Sequence, residues 1–361
     1  MKGLRTAGFF AFAGVAAASA GCGLILGLGD PVDGGDAPAP SEDAGDADAA
    51  MLDASDAQPR AVDSGTDAGT DALPAADAAD AAEEPPCDLT SPFGSPALVV
   101  GMDLNTSADE GTPRLAPDEL TLYFWSNRAA SDGGTRPHVY LATRNVASDP
   151  FGAPSFLSTV NSAADDASPT VSADGLTLLF ESDRLDPPTT SEDALFIATR
   201  GSTAGAFLTP SLLQTNGWPA NEKTPYLRPD ARVLYFSGGS GVLGGQDIER
   251  AELESSGSFG AAAAVSEINS TADDYSPVVD ALEQTIFWGS DRTDEPTLGG
   301  FDIFVATRAS TSVAYGGIAN AGASVNSTGL DLPGWISPDG CRLYFESDRA
   351  GSRDLYVAGR P

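Results

Sequence analysis

The 361 residues include one histidine, His138, three cysteines and three methionines. A lone histidine leaves nearly the whole chain without the commonest general base. No G-x-S-x-G, no H-E-x-x-H and no glycine-rich phosphate loop is present, so the familiar hydrolase and nucleotide-binding signatures are excluded. Positive charge is scarce as well: 19 Lys and Arg stand against 52 Asp and Glu, a formal net charge of −33. A surface of that sign repels phosphate backbones and anionic headgroups, which excludes nucleic acid as a natural partner. Helical periodicity of useful length is missing after residue 86.

The acids are present for two different reasons. Residues 23–86 carry 16 acids and one base, and residues 87–361 carry 36 acids and 16 bases. Ahead of both stands "MKGLRTAGFFAFAGVAAASAGC", with Lys2 and Arg5, a short apolar run and small residues before Cys22. That is the layout of an export signal. Its last four residues, "SAGC" (19–22), resemble a bacterial lipoprotein cleavage box, which implies that Cys22 is lipidated and becomes the mature N-terminus. The apolar run also continues through "GLILGLG" (23–29), so residues 7–29 are long enough to serve as an uncleaved anchor. Plain secretion is the third option. All three place the rest of the chain outside the cytoplasm, on the periplasmic or cell-surface side.

From residue 23 to residue 86 the composition is mainly Ala, Asp, Gly, Pro and Ser. Large apolar side chains are almost absent beyond residue 30, and like charges repel along the run. Such a segment cannot bury enough surface to offset chain entropy, and it is expected to be a disordered tether. As a coil, about 60 residues span roughly 45 Å root-mean-square.

The texture changes after Pro86, where aromatic and β-branched residues alternate with polar ones. The turn aspartates Asp118, Asp174, Asp230, Asp280 and Asp339 recur at spacings of 56, 56, 50 and 59. A second landmark, Phe93, Phe151, Phe207, Phe259 and Tyr315, shares the period. Two independent landmarks define a repeat. Each copy holds four strand-like pieces; in the second they are "SPTVS" (168–172), "LTLLFES" (176–182), "LFIAT" (195–199) and "FLTPSLLQT" (207–215). Four short strands per 55 residues read as one blade of a β-propeller.

The phrases "SPDGCRLYFESDR" (337–349), "RDLYVAGR" (353–360) and "FDIFVATR" (301–308) resemble the WD-repeat-like units of TolB-type periplasmic propellers. The third copy, "GGSGVLGGQDIERAEL" (238–253), lacks both the S-D-R and the A-T-R ending. The resemblance covers residues 93–361 and implies a propeller that meets other envelope components. It carries little about activity, because propellers host many functions.

The fifth copy stops after its third strand, whereas "FGSPALVV" (93–100) is an orphan fourth strand. The expectation is therefore an all-β, five-bladed propeller of four-stranded antiparallel blades occupying residues 87–361. Its last blade is completed by residues 93–101, leaving no open blade edge and favouring a monomer. Cys87 and Cys341 remain as a pair in an oxidising compartment, and the closure brings them near each other, predicting a disulfide.

Three groups are candidates for a site. The recurring Asp-Arg pairs (Asp183-Arg184, Asp291-Arg292, Asp348-Arg349) read as blade scaffolding, each through turn hydrogen bonds and a local salt bridge. The inter-blade loops carry a second acidic set, Asp165, Asp166, Asp273 and Asp274. Clustered there, carboxylates are a candidate Ca²⁺ rim, although no D-x-D-x-D-G loop exists and no other cofactor is implied. Finally, one column varies inside a constant frame: Trp125, Glu181, Ser237, Gly289 and Glu346. Glu181 and Glu346 are the residue types of a glycosidase carboxylate pair. The leading expectation is a non-catalytic, lipid-tethered propeller that binds envelope proteins or cell-wall components. A glycan-binding or glycan-cleaving propeller with its site in the central channel, and a Ca²⁺-dependent scaffold, are the rivals.

Overall fold

The computed structural model describes residues 87–129, 134–184, 192–213, 218, 221–239 and 245–361. The export signal, Cys22 and the tether lie outside the described residues. Every helix or strand among the described residues is a strand. The first is β1 (Ala97–Leu98). Blade 1 follows with β2 (Glu110–Leu115), β3 (Thr121–Ser126), β4 (His138–Thr143) and β5 (Ser155–Phe156). Blade 2 has β6 (Asp166–Val171), β7 (Thr177–Ser182), β8 (Ala194–Thr199) and β9 (Ser211–Leu212). Blade 3 has β10 (Lys223–Leu227), β11 (Val233–Gly238), β12 (Asp247–Glu252) and β13 (Ala263–Ala264). Blade 4 has β14 (Asp274–Val279), β15 (Thr285–Ser290), β16 (Asp302–Thr307) and β17 (Gly316–Asn320). Blade 5 has β18 (Asp331–Ile336), β19 (Arg342–Ser347) and β20 (Asp354–Gly359), and β1 pairs antiparallel with β20 as its fourth strand. The inner strands β2, β6, β10, β14 and β18 touch in cyclic order, so the five sheets form a closed ring.

The closing strand is shorter than the nine residues expected. Only Ala97 and Leu98 are ladder residues, opposite Val357 and Tyr356. Further backbone bonds extend the clasp: Gly94 N–H to Gly359 O at 2.8 Å, Val99 N–H to Leu355 O at 2.8 Å, and Asp88 N–H to Pro361 O at 2.9 Å. Cys87 and Cys341 are bonded to each other, with their Cα atoms 5.6 Å apart. Among the outer strands β5, β9 and β13 are likewise two residues long, and β17 has five. The fourth strand of blade 2 is not the nine-residue run 207–215 but Ser211–Leu212, immediately after Pro210, which has no N–H for a ladder.

Both faces of each second strand are covered, because every sheet is packed between two others. Leu122, Leu178, Leu234, Ile286 and Leu343 lie on one face, and Tyr123, Leu179, Tyr235, Phe287 and Tyr344 on the other; none is more than 3% exposed. Burying each side chain stabilises the ring by about 1.5–3 kcal/mol.

The Asp-Arg pairs do fix their own blades, but not through an ion pair within the dipeptide. Successive side chains on an extended chain point to opposite sides. The aspartate turns to the loop before the inner strand: Asp183, Asp291 and Asp348 accept the N–H groups of Asp165, Asp273 and Leu330 at 2.7–2.9 Å. The arginine reaches an acid 18 residues upstream. Arg292 meets Asp274 at 2.7 Å and Arg349 meets Asp331 at 2.6 Å. Arg128 meets Glu110 at 3.1 Å, and Arg184 meets Asp166. Each guanidinium also covers two aromatic rings of its own sheet, as Arg292 does over Trp288 and Phe304. Blade 3 lacks the arginine and uses a ring instead: Trp218 stacks on Phe236 at 4.5 Å and its indole N–H donates to Gly260 O at 2.8 Å.

Candidate functional site

All five inner strands carry one extra residue, seen as register breaks between Gly111 and Arg114, Ala167 and Thr170, Lys223 and Tyr226, Tyr275 and Val278, and Pro333 and Trp335. In blades 1 to 4 the bulge residue ahead of proline takes a left-handed backbone: Thr112 (φ 46°), Ser168 (50°), Thr224 (46°) and Ser276 (51°). Such strain in β-branched or hydroxylated residues persists only where the surroundings hold it. A bulge bends its strand, and here it sets these four residues around the mouth of a funnel of about 390 Å³ on the propeller axis.

The varying column opens on the same funnel. Trp125, Glu181 and Glu346 line it together with Lys223, Tyr275, Phe301, Leu332 and Arg353. Each acid leans on the bulge of the next blade: Thr112 N–H donates to Glu346 Oε2 at 2.6 Å, and Thr224 N–H donates to Glu181 Oε2 at 2.5 Å. The bulge hydroxyls continue the chain, with Thr112 Oγ1 3.4 Å from Ser168 Oγ, and Ser276 N–H donating to Thr224 Oγ1 at 3.0 Å. At Gly289, the fourth member of the column, a Cβ would fall 2.1 Å from Leu332 Cδ2, so the small residue is what admits its large neighbour.

The charges around the funnel differ from acid to acid. Burial pushes the Glu181 carboxyl up to about 7, helped by the nearby Asp193 charge. Asp193 is itself paired with Lys223 at 2.8 Å. Burial also raises Glu346, opposed chiefly by Arg353, whose guanidinium lies 3.5 Å from it. Arg353 also lies 6.0 Å from the Trp125 ring centroid.

The channel does not run through. Next to the bulge, a second varying column of Arg114, Thr170, Tyr226, Val278 and Trp335 points inward from the five blades. Arg114 is 1% exposed and crosses the axis, donating to Pro225 O at 3.1 Å and to Gly334 O, with Tyr226 4.8 Å away. Burial pulls its guanidinium down to about 10. The sequence reading missed this plug, although the column after the bulge proline was there to be compared.

The loop acids have other places. Asp166 and Asp274 are fully buried in the blade staples; Ser182 Oγ donates to Asp166 at 2.6 Å and Ser270 N–H to Asp274 at 2.7 Å. Asp165 pairs with Arg136 of the preceding blade at 2.8 Å, and Asp273 accepts Gln246 N–H of blade 3 at 2.8 Å. These are contacts between neighbouring blades. Among the described residues no three His, Cys, Asp or Glu side chains are grouped as a metal would require.

No protein-family model matches the chain, and no curated protein does. Solved structures do. The chain is similar to TolB from Acinetobacter baumannii, at 14% identity and a TM-score of 0.43, over 70% of this chain. It spans 54% of that protein's length. A protein assigned as TolB from Agrobacterium tumefaciens is 17% identical, with a TM-score of 0.37, over 71% of this chain and 92% of that one. An endo-arabinase from Bacteroides thetaiotaomicron is 12% identical, with a TM-score of 0.46, over 71% and 95%. The likeness is one of fold.

Proposed function

We propose that the protein is a non-catalytic binding module of the cell envelope, which takes a protruding group of its partner into the axial funnel. The observation that carries this reading is the convergence of the varying column on one cavity. The core-strand and staple columns largely repeat from blade to blade, but Trp125, Glu181 and Glu346 differ and meet in the same open funnel. The lining suits a hydroxyl-rich group with an apolar face, such as the end of a wall glycan. Trp125, Tyr275, Phe301 and Leu332 supply aromatic and apolar surface, and between them two carboxylates with a set of hydroxyls accept and donate. Lipid at Cys22 and the acidic tether would hold the module near, but not on, a membrane.

The test uses the full chain carrying Cys22→Ser, titrated calorimetrically with soluble cell-wall fragments. Saturable binding that falls at least about tenfold in Trp125→Ala supports the proposal. Binding that is absent, or indifferent to Trp125, Glu181 and Glu346, removes it.

A second reading has one specific observation behind it. Glu181 and Glu346 sit in one cavity in unlike surroundings, the pattern that separates a general acid from its partner. Turnover of aryl glycosides that is abolished in Glu181→Gln would favour hydrolysis over binding alone.

A further inference from the structure

On the face opposite the funnel, the ends of blades 3 and 4 enclose a cleft of about 510 Å³. Four of the 16 basic residues of this acidic region meet there: Arg228, Arg232, Arg250 and Arg308. Glu283 is the hub for three of them. It is fully buried and bonds Arg308 at 2.9 Å, Arg250 at 3.1 Å and Arg228. Two acids at the margin take further charge, Asp230 from Arg228 at 2.8 Å and Glu252 from Arg250 at 2.6 Å. The local count is four cations against three anions.

The unmatched cation can be named. Arg232 lines the cleft, is exposed and has no carboxylate partner among the described residues. A buried donor is also left over, since Arg228 Nε–H has no acceptor. Glu283 itself occupies a left-handed turn position (φ 53°), where blades 2 and 5 have Gly175 and Gly340. An acid is kept at a strained position that glycine fills more easily, and its effect is to hold three guanidiniums at one cleft. Planar guanidinium forks match the oxygens of a phosphoryl group.

We propose that this cleft binds a phosphate group, which supplies the fourth anion. The chain's overall negative field opposes approach to an anionic surface, so the phosphate is expected free or on a soluble carrier rather than in a bilayer.

The experiment uses the full chain with Cys22→Ser, which removes the site of lipidation; any vesicle binding through the apolar run 7–29 is common to both lipid compositions and is read from the phosphatidylcholine arm. Thermal unfolding is followed against inorganic phosphate, with sodium chloride matched for ionic strength. A saturable rise in Tm with phosphate, weakened about tenfold in Arg232→Ala, is expected. Arg136→Ala, which removes an exposed arginine near the other rim, should leave the phosphate response unchanged. A parallel arm measures co-sedimentation with phosphatidylglycerol–phosphatidylcholine vesicles and with phosphatidylcholine alone. Binding to the first only, and only with Arg232 intact, would identify a lipid headgroup as the source of the phosphate. A phosphate response no larger than that to chloride, or equal in Arg232→Ala and the parent, overturns the site. Because Arg232 is exposed, its loss leaves the fold intact, and failure here leaves the funnel reading untouched.

Discussion

Glu181 gives the most direct handle on the funnel, because its burial makes a prediction about stability as well as binding. Its folded carboxyl titrates near 7 against an ordinary 4.5. The native state therefore holds a proton that the unfolded chain has already released between those two values. Stability from this group is fully present below about pH 4.5 and is lost as pH rises through 7. The full shift corresponds to about 3 kcal/mol. Part of the side chain remains open to the funnel, so solvent screening reduces that figure, and about 2 kcal/mol is expected between pH 5 and pH 8. Glu249 contributes a fall of the same sign, since burial beside Asp247 also raises it to about 7. The comparison must therefore be between the parent and Glu181→Gln, in which Glu249 is common to both. Glutamine keeps an acceptor for Thr224 N–H and mimics the protonated acid. Urea unfolding should find the two chains nearly equal at pH 5 and the variant more stable by about 2 kcal/mol at pH 8. A gap that stays constant across that range would mean that Glu181 is not held neutral by its site, and the electrostatic account of the funnel would fail.

Other perturbations test the scaffold. Arg292→Ala leaves Asp274 buried without its cation and should cost about 3–5 kcal/mol in thermal unfolding, with part of the loss recovered when Asp274 is also replaced by alanine. Cys341→Ser opens a loop of 254 residues and should lower stability by up to about 5 kcal/mol, measured by urea midpoint under non-reducing conditions. Arg114→Ala empties the plug and strands two carbonyls, for a loss of about 2–4 kcal/mol; Arg114→Met, which keeps the volume, should lose less than half as much.

How much of this was readable in advance depended on whether the signal was periodic. The five blades, their order and the closing role of residues 93–101 follow from a repeat with two landmarks and a missing fourth strand. Strand length at the rim was overestimated because composition does not say where a ladder stops; Pro210 did, and was not used. The blade-fixing role of the Asp-Arg pairs is legible in the sequence, but the acid that each Arg meets is not obvious. Adjacent residues suggest a pair, yet an extended chain turns them apart, and the acid lies 18 residues back across the hairpin. That interval is constant at Glu110–Arg128, Asp166–Arg184, Asp274–Arg292 and Asp331–Arg349. It could have been found by aligning the copies column by column. Trp218 was beyond such reading, since it replaces an arginine from outside the repeat frame.

Columns that vary sort themselves by height along the axis. At one end, Trp125, Glu181 and Glu346 open on the funnel. In the middle, Arg114, Thr170, Tyr226 and Trp335 fill the channel, leaving only about 10 Å³ free beside them. At the other end, the left-handed turn position is Glu119, Gly175, Ala231, Glu283 or Gly340. Glu119 and Glu283 both gather arginines there, from blades 1 and 5 and from blades 3 and 4. They are not equivalent. At Glu119 the half-buried Arg342 is already matched by Glu119 and Asp339, whereas in the cleft at Glu283 one arginine is left over. The middle column varies because five side chains must share one channel, so variation there serves the ring; the varying columns at the two ends line open cavities instead, and those are the surfaces for which an outside contact is proposed.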